Sequence, residues 1–212
     1  MHYFHNEGDG TFADHTQKAN LTGLYGGLNM VQADYNNDGH IDILVLRGAW
    51  MMQFGQMPNS LLRNNGDGTF TDVTFEAGLG RVHYPTQVAG FADYDNDGDL
   101  DLYIGNEATG EAQYPCQLFR NNGDDTFTDV AAQAGVTNDS FTKGVSWGDY
   151  DGDRDPDLYV SNLGMPNKLY RNNGDGTFTD VAQQLNVAGP NMSFPVWFWD
   201  FNNDGAMDLF VS

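Results

Sequence analysis

The sequence predicts an all-β fold assembled from repeated four-stranded units. Three observations lead there: two short motifs alternate along the chain in four copies each, strand-length apolar runs are separated by Asn-Gly and Asp-Gly turns, and no long amphipathic helix interrupts them.

The first motif is rich in aspartate. It reads Asp34-Tyr-Asn-Asn-Asp-Gly-His-Ile-Asp42 and returns at Asp93 to Asp101, Asp149 to Asp157 and Asp200 to Asp208, with starts 59, 56 and 51 residues apart. The second reads Arg63-Asn-Asn-Gly-Asp-Gly-Thr-Phe-Thr-Asp72 and recurs at Arg120 to Asp129 and Arg171 to Asp180. A worn copy, His5 to Asp14, opens the chain. Each unit then resolves into four strands. An apolar stretch such as Gly144-Val-Ser-Trp147 leads into the aspartate loop. Runs with strand alternation, Ile41 to Leu46, Leu100 to Ile104 and Leu158 to Val160, leave it. Third strands follow at Leu61-Leu-Arg63, Leu118-Phe-Arg120 and Leu169-Tyr-Arg171. A tight turn and a Thr-Phe-Thr-Asp-Val strand close the unit. Asn-Gly and Asp-Gly mark the turn because its backbone needs positive φ. Asp129-Val-Ala-Ala-Gln-Ala-Gly135 reads as an added helical turn. Four-stranded units of this length are the signature of β-propeller blades. The boundaries read as a half blade over 1–23, blades over 24–80, 81–137 and 138–189, and a half blade over 190–212. The chain reads as a segment of a larger propeller; the alternative is a closed four-bladed ring in which the two half blades combine.

Hard cations take oxygen ligands, and Ca²⁺ wants about six to eight of them. In the aspartate loops positions 1, 3, 5 and 9 can turn side-chain oxygens inward, position 7 can offer its carbonyl, and Gly at position 6 permits the sharp turn. The ligand sets expected on this basis are Asp34, Asn36, Asp38, His40 and Asp42 in loop one, and Asp93, Asp95, Asp97, Asp99 and Asp101 in loop two. Loop three has Asp149, Asp151, Asp153, Asp155 and Asp157, and loop four Asp200, Asn202, Asp204, Ala206 and Asp208. Without a cation each loop concentrates unpaired like charge. Up to four Ca²⁺ are expected, tightest in loop two, where every side-chain position is acidic. Loop three is expected to be weakest and strained, because Arg154 stands where the turn Gly belongs; Gly152 is a candidate for relieving that strain. The loops begin like EF-hands but lack a Glu at position 12, which is Val45, Ile104, Val160 or Val211 inside strand-like runs.

With these motifs the chain resembles the FG-GAP/VCBS repeat family, whose calcium-loop blades also occur in integrin α-subunit propellers. The pairing of Trp147-Gly-Asp-Tyr-Asp with the Leu-Tyr-Arg-Asn-Asn-Gly-Asp-Gly-Thr-Phe-Thr-Asp-Val181 segment is similar to the repeat region of ASPIC/UnbV-type proteins and cartilage acidic proteins. The resemblance spans nearly the whole chain. It implies a secreted, periplasmic or cell-surface calcium-binding propeller used in recognition or adhesion, and no catalytic activity.

Composition narrows the function further. Asp and Glu outnumber Lys and Arg by 30 to 9, for a formal charge of -21. That charge argues against nucleic acid and against anionic membrane surfaces. No apolar run approaches the roughly 18 residues of a membrane-crossing helix. Met1 to Glu7 lacks the basic start and apolar stretch of a signal peptide. Cys116 is the only cysteine, which excludes a disulfide scaffold, and reads as an inert thiol. Arg63, Arg120 and Arg171 recur once per unit and are expected to pair with blade carboxylates. Trp147, Trp197 and Trp199 precede aspartate loops and read as blade core. Trp50 lies in Gly48-Ala-Trp-Met-Met-Gln-Phe-Gly55, an insertion without a repeat equivalent, and is the residue most suited to meet a protein or carbohydrate partner. The rival reading is the propeller part of a polysaccharide lyase or hydrolase, but among three lysines and scattered histidines no unrepeated acid–base cluster stands out. A third reading is a structural spacer within a larger surface protein.

Overall fold

The computed structural model describes residues 1–109 and 112–212. Three antiparallel meanders form its body. The first runs through β3 (Asn29–Ala33), β4 (Asp42–Leu46), β5 (Ser60–Asn64) and β6 (Phe70–Asp72). The second comprises β7 (Thr86–Ala92), β8 (Asp101–Asn106), β9 (Gln117–Asn121) and β10 (Phe127–Asp129). The third comprises β11 (Thr142–Gly148), β12 (Asp157–Asn162), β13 (Lys168–Asn172) and β14 (Phe178–Asp180). Before them stands a two-stranded sheet of β1 (Phe4–Asn6) and β2 (Phe12–Asp14); after them stands another, of β15 (Val196–Trp199) and β16 (Asp208–Val211). A four-residue helix, α1 (Ala131–Ala134), ends at Gly135 in the left-handed conformation. The fold is all-β and propeller-like, and among the described residues no sheet closes a ring. The composite blade of the closed-ring alternative is not formed: β1–β2 and β15–β16 are separate sheets.

The first strands of successive units, β3, β7, β11 and β15, lie side by side along the centre. Meander topology then puts both hairpins of every blade, the aspartate loop and the Asn-Gly-Asp turn, at one end of the molecule. The connections from second to third strands emerge at the other end.

The core lies between blades, not within them. Leu44 and Leu46 on β4 pack with Leu61, Leu102, Ile104 and Phe119 between the first two meanders. Val45 and Leu62 face the opposite way, toward Ala19 and Leu21. The same alternation sends Leu118 and Tyr103 toward Leu158 and Val160 of the third meander. This is the period of two of a β-strand, used to bury both faces of each blade. In the second and third meanders the Phe of the closing strand packs on the preceding unit: Phe127 meets Tyr35 at 5.7 Å and Phe178 meets Tyr94 at 5.6 Å between ring centroids. Each pair joins the second residue of one aspartate loop to the closing strand of the next blade, so the two sequence motifs are partners across blades.

The tryptophan expectation is corrected in two places. Trp147 packs in the core, its indole N–H donating to the Gly90 carbonyl at 3.1 Å. Trp197 and Trp199 are 51% and 57% exposed, because they point from β15 away from the third meander, where no further sheet covers them. Close approach of β11 and β15 depends on Gly144: a Cβ there would stand 2.4 Å from the Phe194 carbonyl oxygen, a backbone atom that cannot swing aside.

The junction between blades also generates a test. The buried Asn121 donates from Nδ2 to the Tyr35 carbonyl of the preceding blade at 2.8 Å and to Leu100 at 3.2 Å, and Asn172 repeats this with Tyr94 and Pro156. Asn121→Ala is expected to cost about 1–3 kcal/mol in urea unfolding, since it strands buried carbonyls. Lys18→Ala, at an exposed site, should stay within about 0.5 kcal/mol.

Candidate metal centres

Each aspartate loop is folded by its own carboxylates. The position 1 side chain accepts two backbone N–H bonds. Asp34 takes them from Asp38 and Gly39 at 3.0 and 2.9 Å, Asp93 from Asp97 and Gly98 at 3.0 Å each, and Asp200 from Asp204 and Gly205 at 3.1 and 2.9 Å. The position 5 carboxylates of Asp38, Asp97, Asp153 and Asp204 each accept the N–H two residues on. These bonds curl the backbone so that position 4 sits at positive φ: Asn37, Asn96 and Asn203 have φ of 58°, 58° and 59°. Asn tolerates that region better than other residues with a Cβ. The sequence motif thus carries a constraint at position 4 that its cation chemistry does not explain.

Position 9 does more than close the loop. Asp42, Asp101 and Asp157 are buried. One oxygen of each accepts the N–H of the loop Tyr (Tyr35, Tyr94, Tyr150) at 3.3, 3.2 and 3.1 Å. The other accepts from Asn64, Asn121 or Asn172 on the third strand at 2.7, 2.8 and 2.8 Å. Burial pushes these three carboxyls up to about 6, about 7 and about 6. In loop four Asp208 keeps the bond from the Phe201 N–H at 3.0 Å but is only half-buried.

Carboxylates converge in two loops. Oxygens of Asp93, Asp95 and Asp101 lie within 4.8 Å of one another, and so do those of Asp149, Asp151 and Asp153. Burial and the neighbouring acids raise Asp95 and Asp151. In loop one the Asn36 Oδ1 is buried without a hydrogen-bond partner, while its Nδ2 donates to Asp38 at 3.1 Å. A hard cation suits this donor set: clustered carboxylate oxygens, an amide oxygen facing nothing and, among the described residues, no ammonium or guanidinium within 4.0 Å of an aspartate-loop acid. Position 7 side chains leave their own loops. His40 lies over Gly66, Asp99 beside Gly123 and Asp155 beside Gly174, so only their carbonyls remain for the loop, as for Ala206.

Loop three departs as its sequence implies, but not in every respect. Arg154 adopts φ of 79° and stores left-handed strain. Gly152 does not relieve it. Gly152 takes the positive φ of position 4, also 79°, and its N–H replaces that of position 5 on Asp149 Oδ1 at 2.7 Å.

The recurrent arginines are corrected too. Arg63 reaches Asp125 of the next blade's turn at 3.7 Å. Asp125 occupies the turn position that is Gly in sister copies, and among the described residues Arg120 and Arg171 have no carboxylate within 4.0 Å. Cys116 is buried and its thiol pushed up by burial. It stands in the slot where Asn59 and Asn167 accept the N–H bonds of Arg47 and Asn162; here the Asn106 N–H points at Sγ at 3.5 Å.

An unrepeated acid–base pair does exist, at the opposite end of the molecule. Lys143 is the extra residue of a β-bulge in β11, which turns its side chain toward the centre. There it pairs with Glu107, both side chains fully buried. Its Nζ lies 3.3 Å from the Trp50 ring centroid and 3.9 Å from that of Phe141. Trp50 donates its backbone N–H to Glu107 and stacks on Phe194 at 6.0 Å. Four units therefore contribute one residue or more to this cluster. The only trace of it in the sequence is a Lys and a Glu where the second and third units otherwise carry Gln87 and Leu163. One face of Trp50 is spent on Lys143, yet the residue stays half exposed, beside Met51, Met52 and Phe54.

Comparison with known proteins agrees with this architecture. The model of the FG-GAP-like repeat matches residues 1–45, 50–104, 108–160 and 149–211; the first three segments run from the third strand of one unit to the second strand of the next, and the fourth starts at the aspartate loop of the third unit and overlaps the third. Cartilage acidic protein 1 of Mus musculus is 32% identical over 147 residues, covering 65% of this chain and 22% of the relative. The Xenopus tropicalis protein of that name is 28% identical over 168 residues, 73% of this chain and 25% of the relative; the Homo sapiens protein is 34% identical over 126 residues, 55% and 19%. The chain spans about a fifth to a quarter of the length of these relatives. With matches over nearly all of its residues, on the strands and loops just described, the chain belongs to the FG-GAP-like repeat family.

Proposed function

We propose that this chain is a calcium-binding propeller region that acts by recognition outside the cell, and not by catalysis. The observation that carries the proposal is the set of buried loop carboxylates without a basic partner, together with the unpartnered Asn36 Oδ1. Burying like charges is costly unless a cation joins them. Asp34, Asp38 and Asp42 with Asn36 would hold an ion in loop one, and the equivalent residues would do so in the other three loops. The ion would offset two of the loop's negative charges, and the hairpin would become rigid.

The reading puts the recognition surface at the end opposite the loops. There the connections expose Trp50, Met51, Met52, Phe54, Met57, Met165 and Met192. Exposed apolar groups gathered on one face mark interaction sites, and methionine adapts to varied partners. A protein or carbohydrate partner fits this surface. Extracellular placement rests on the kinship with cartilage acidic proteins and on the millimolar calcium that modules of this chemistry use. No described helix is long and apolar enough to cross a membrane. The Glu107–Lys143 pair supports the non-enzymatic reading. Both groups are sealed from solvent and spent on each other, so neither is free to act on a substrate.

Three outcomes are expected. Millimolar Ca²⁺ should raise the melting temperature relative to EDTA, by about 1.4 kcal/mol of stability per site at a tenfold excess of free ion over Kd; superimposable melts and no calorimetric heat would sink the calcium reading. Asp97→Ala should lower the calcium stoichiometry by about one. Glu107→Gln, which leaves Lys143 buried and unpaired, should cost about 3–5 kcal/mol, while the Glu107→Gln, Lys143→Met double variant should recover most of it, as read by urea denaturation.

A further inference from the structure

Adjacent aspartate loops are joined by side chains that leave one loop and hold the next. The positive φ at position 4 turns Asn37 out of loop one. Its Nδ2 donates to Asp99 Oδ1 at 2.8 Å and to the Gly98 carbonyl at 3.3 Å in loop two. Asn96 of loop two donates in the same way to Asp155 Oδ1 of loop three at 2.7 Å. Donor and acceptor thus sit at fixed motif positions, the fourth of one loop and the seventh of the following one. Between loops three and four both halves are missing together. Position 4 is Gly152, which has no side chain, and position 7 is Ala206, which has no acceptor. Among the described residues no hydrogen bond links those two loops.

From this geometry we infer that loops one, two and three bind calcium as a coupled row and that loop four binds independently. The inference rests on the calcium reading above and adds to it an order of communication. A cation bound by positions 3 and 5 of one loop fixes the residue between them, and with it the amide that crosses to the next blade. That amide orients the position 7 residue of the next loop, whose carbonyl faces the adjoining site. The reverse holds as well, since coupling between two binding events is reciprocal. Asn203 makes the comparison internal. It has the same side chain and the same loop position as Asn96, with φ of 59° against 58°, but among the described residues its side chain makes no hydrogen bond.

The test is isothermal titration calorimetry of Ca²⁺ into the whole 212-residue chain and its variants, each first checked for an unchanged far-ultraviolet spectrum in EDTA. Wild type should titrate as a cooperative set of sites plus one independent site. Asn96→Ala should weaken binding to the coupled set by about five-fold, the lower end of ordinary coupling between sites, and reduce its cooperativity. Asn203→Ala should leave every site unchanged. In a double-mutant cycle, Asn96→Ala should have no further effect once Asp155 is Ala. Conversely, Gly152→Asn combined with Ala206→Asp should bring loop four into the cooperative set, with an effect larger than the sum of the two single changes. Four independent sites in wild type, or an equal response to Asn96→Ala and Asn203→Ala, would overturn the coupling while leaving calcium binding intact. Absence of any calcium heat in wild type would overturn both.

Discussion

The structure depends on one buried carboxylate per blade. Asp42, Asp101 and Asp157 each receive an N–H from the start of their own loop and another from the third strand. A single side chain therefore joins both hairpins of a blade. The third-strand Asn that donates to it uses its side-chain amide, in the second and third meanders, to hold the tyrosine carbonyl of the preceding blade. Removing the acid would release the loop, the strand and the seam between blades together. Burial raises the pKa of these carboxyls, so the position that organises the blade is also the one that most needs a counter-charge.

That arrangement explains why the two motifs travel together. The tyrosine of an aspartate loop is only half of a contact, and the closing-strand phenylalanine of the next unit is the other half. A blade has hydrophobic residues on both faces and cannot bury them alone, so stability arises at the seams. The consequence shows on β15–β16. Trp197, Trp199 and Phe201 have the residue types of a seam but no sheet against them, and they stay exposed.

The molecule is divided chemically along its axis. One end carries the aspartate loops and most of the negative charge. The other presents aromatic and methionine side chains around a buried ion pair. Gly48 and Gly55 touch backbone to backbone and close the insertion that carries Trp50, since a Cβ on Gly48 would lie 1.8 Å from the Gly55 oxygen. With Lys143 beneath the indole and Glu107 on its backbone N–H, the insertion is held as a fixed feature of that end.

Local chemistry was legible in the sequence wherever it repeated. Turn residues, strand alternation and the spacing of aspartates specify four-stranded units, because positive φ, period-two burial and hairpin closure are decided within a few residues of chain. In loops two and three, carboxylates at positions read as cation ligands come together, and the strain at Arg154 followed from its place in the turn. What the sequence could not show is which repeat touches which. The bulge that turns Lys143 inward toward Glu107, the exposure of Trp197 and Trp199, and the selective pairing of Arg63 all depend on neighbouring blades. So do the Asn37–Asp99 and Asn96–Asp155 bonds, which join residues 62 and 59 positions apart. The sequence by itself determined the blade, since its turns and alternation are local; only the tertiary structure decided the seams, because they form between side chains that no local pattern brings together.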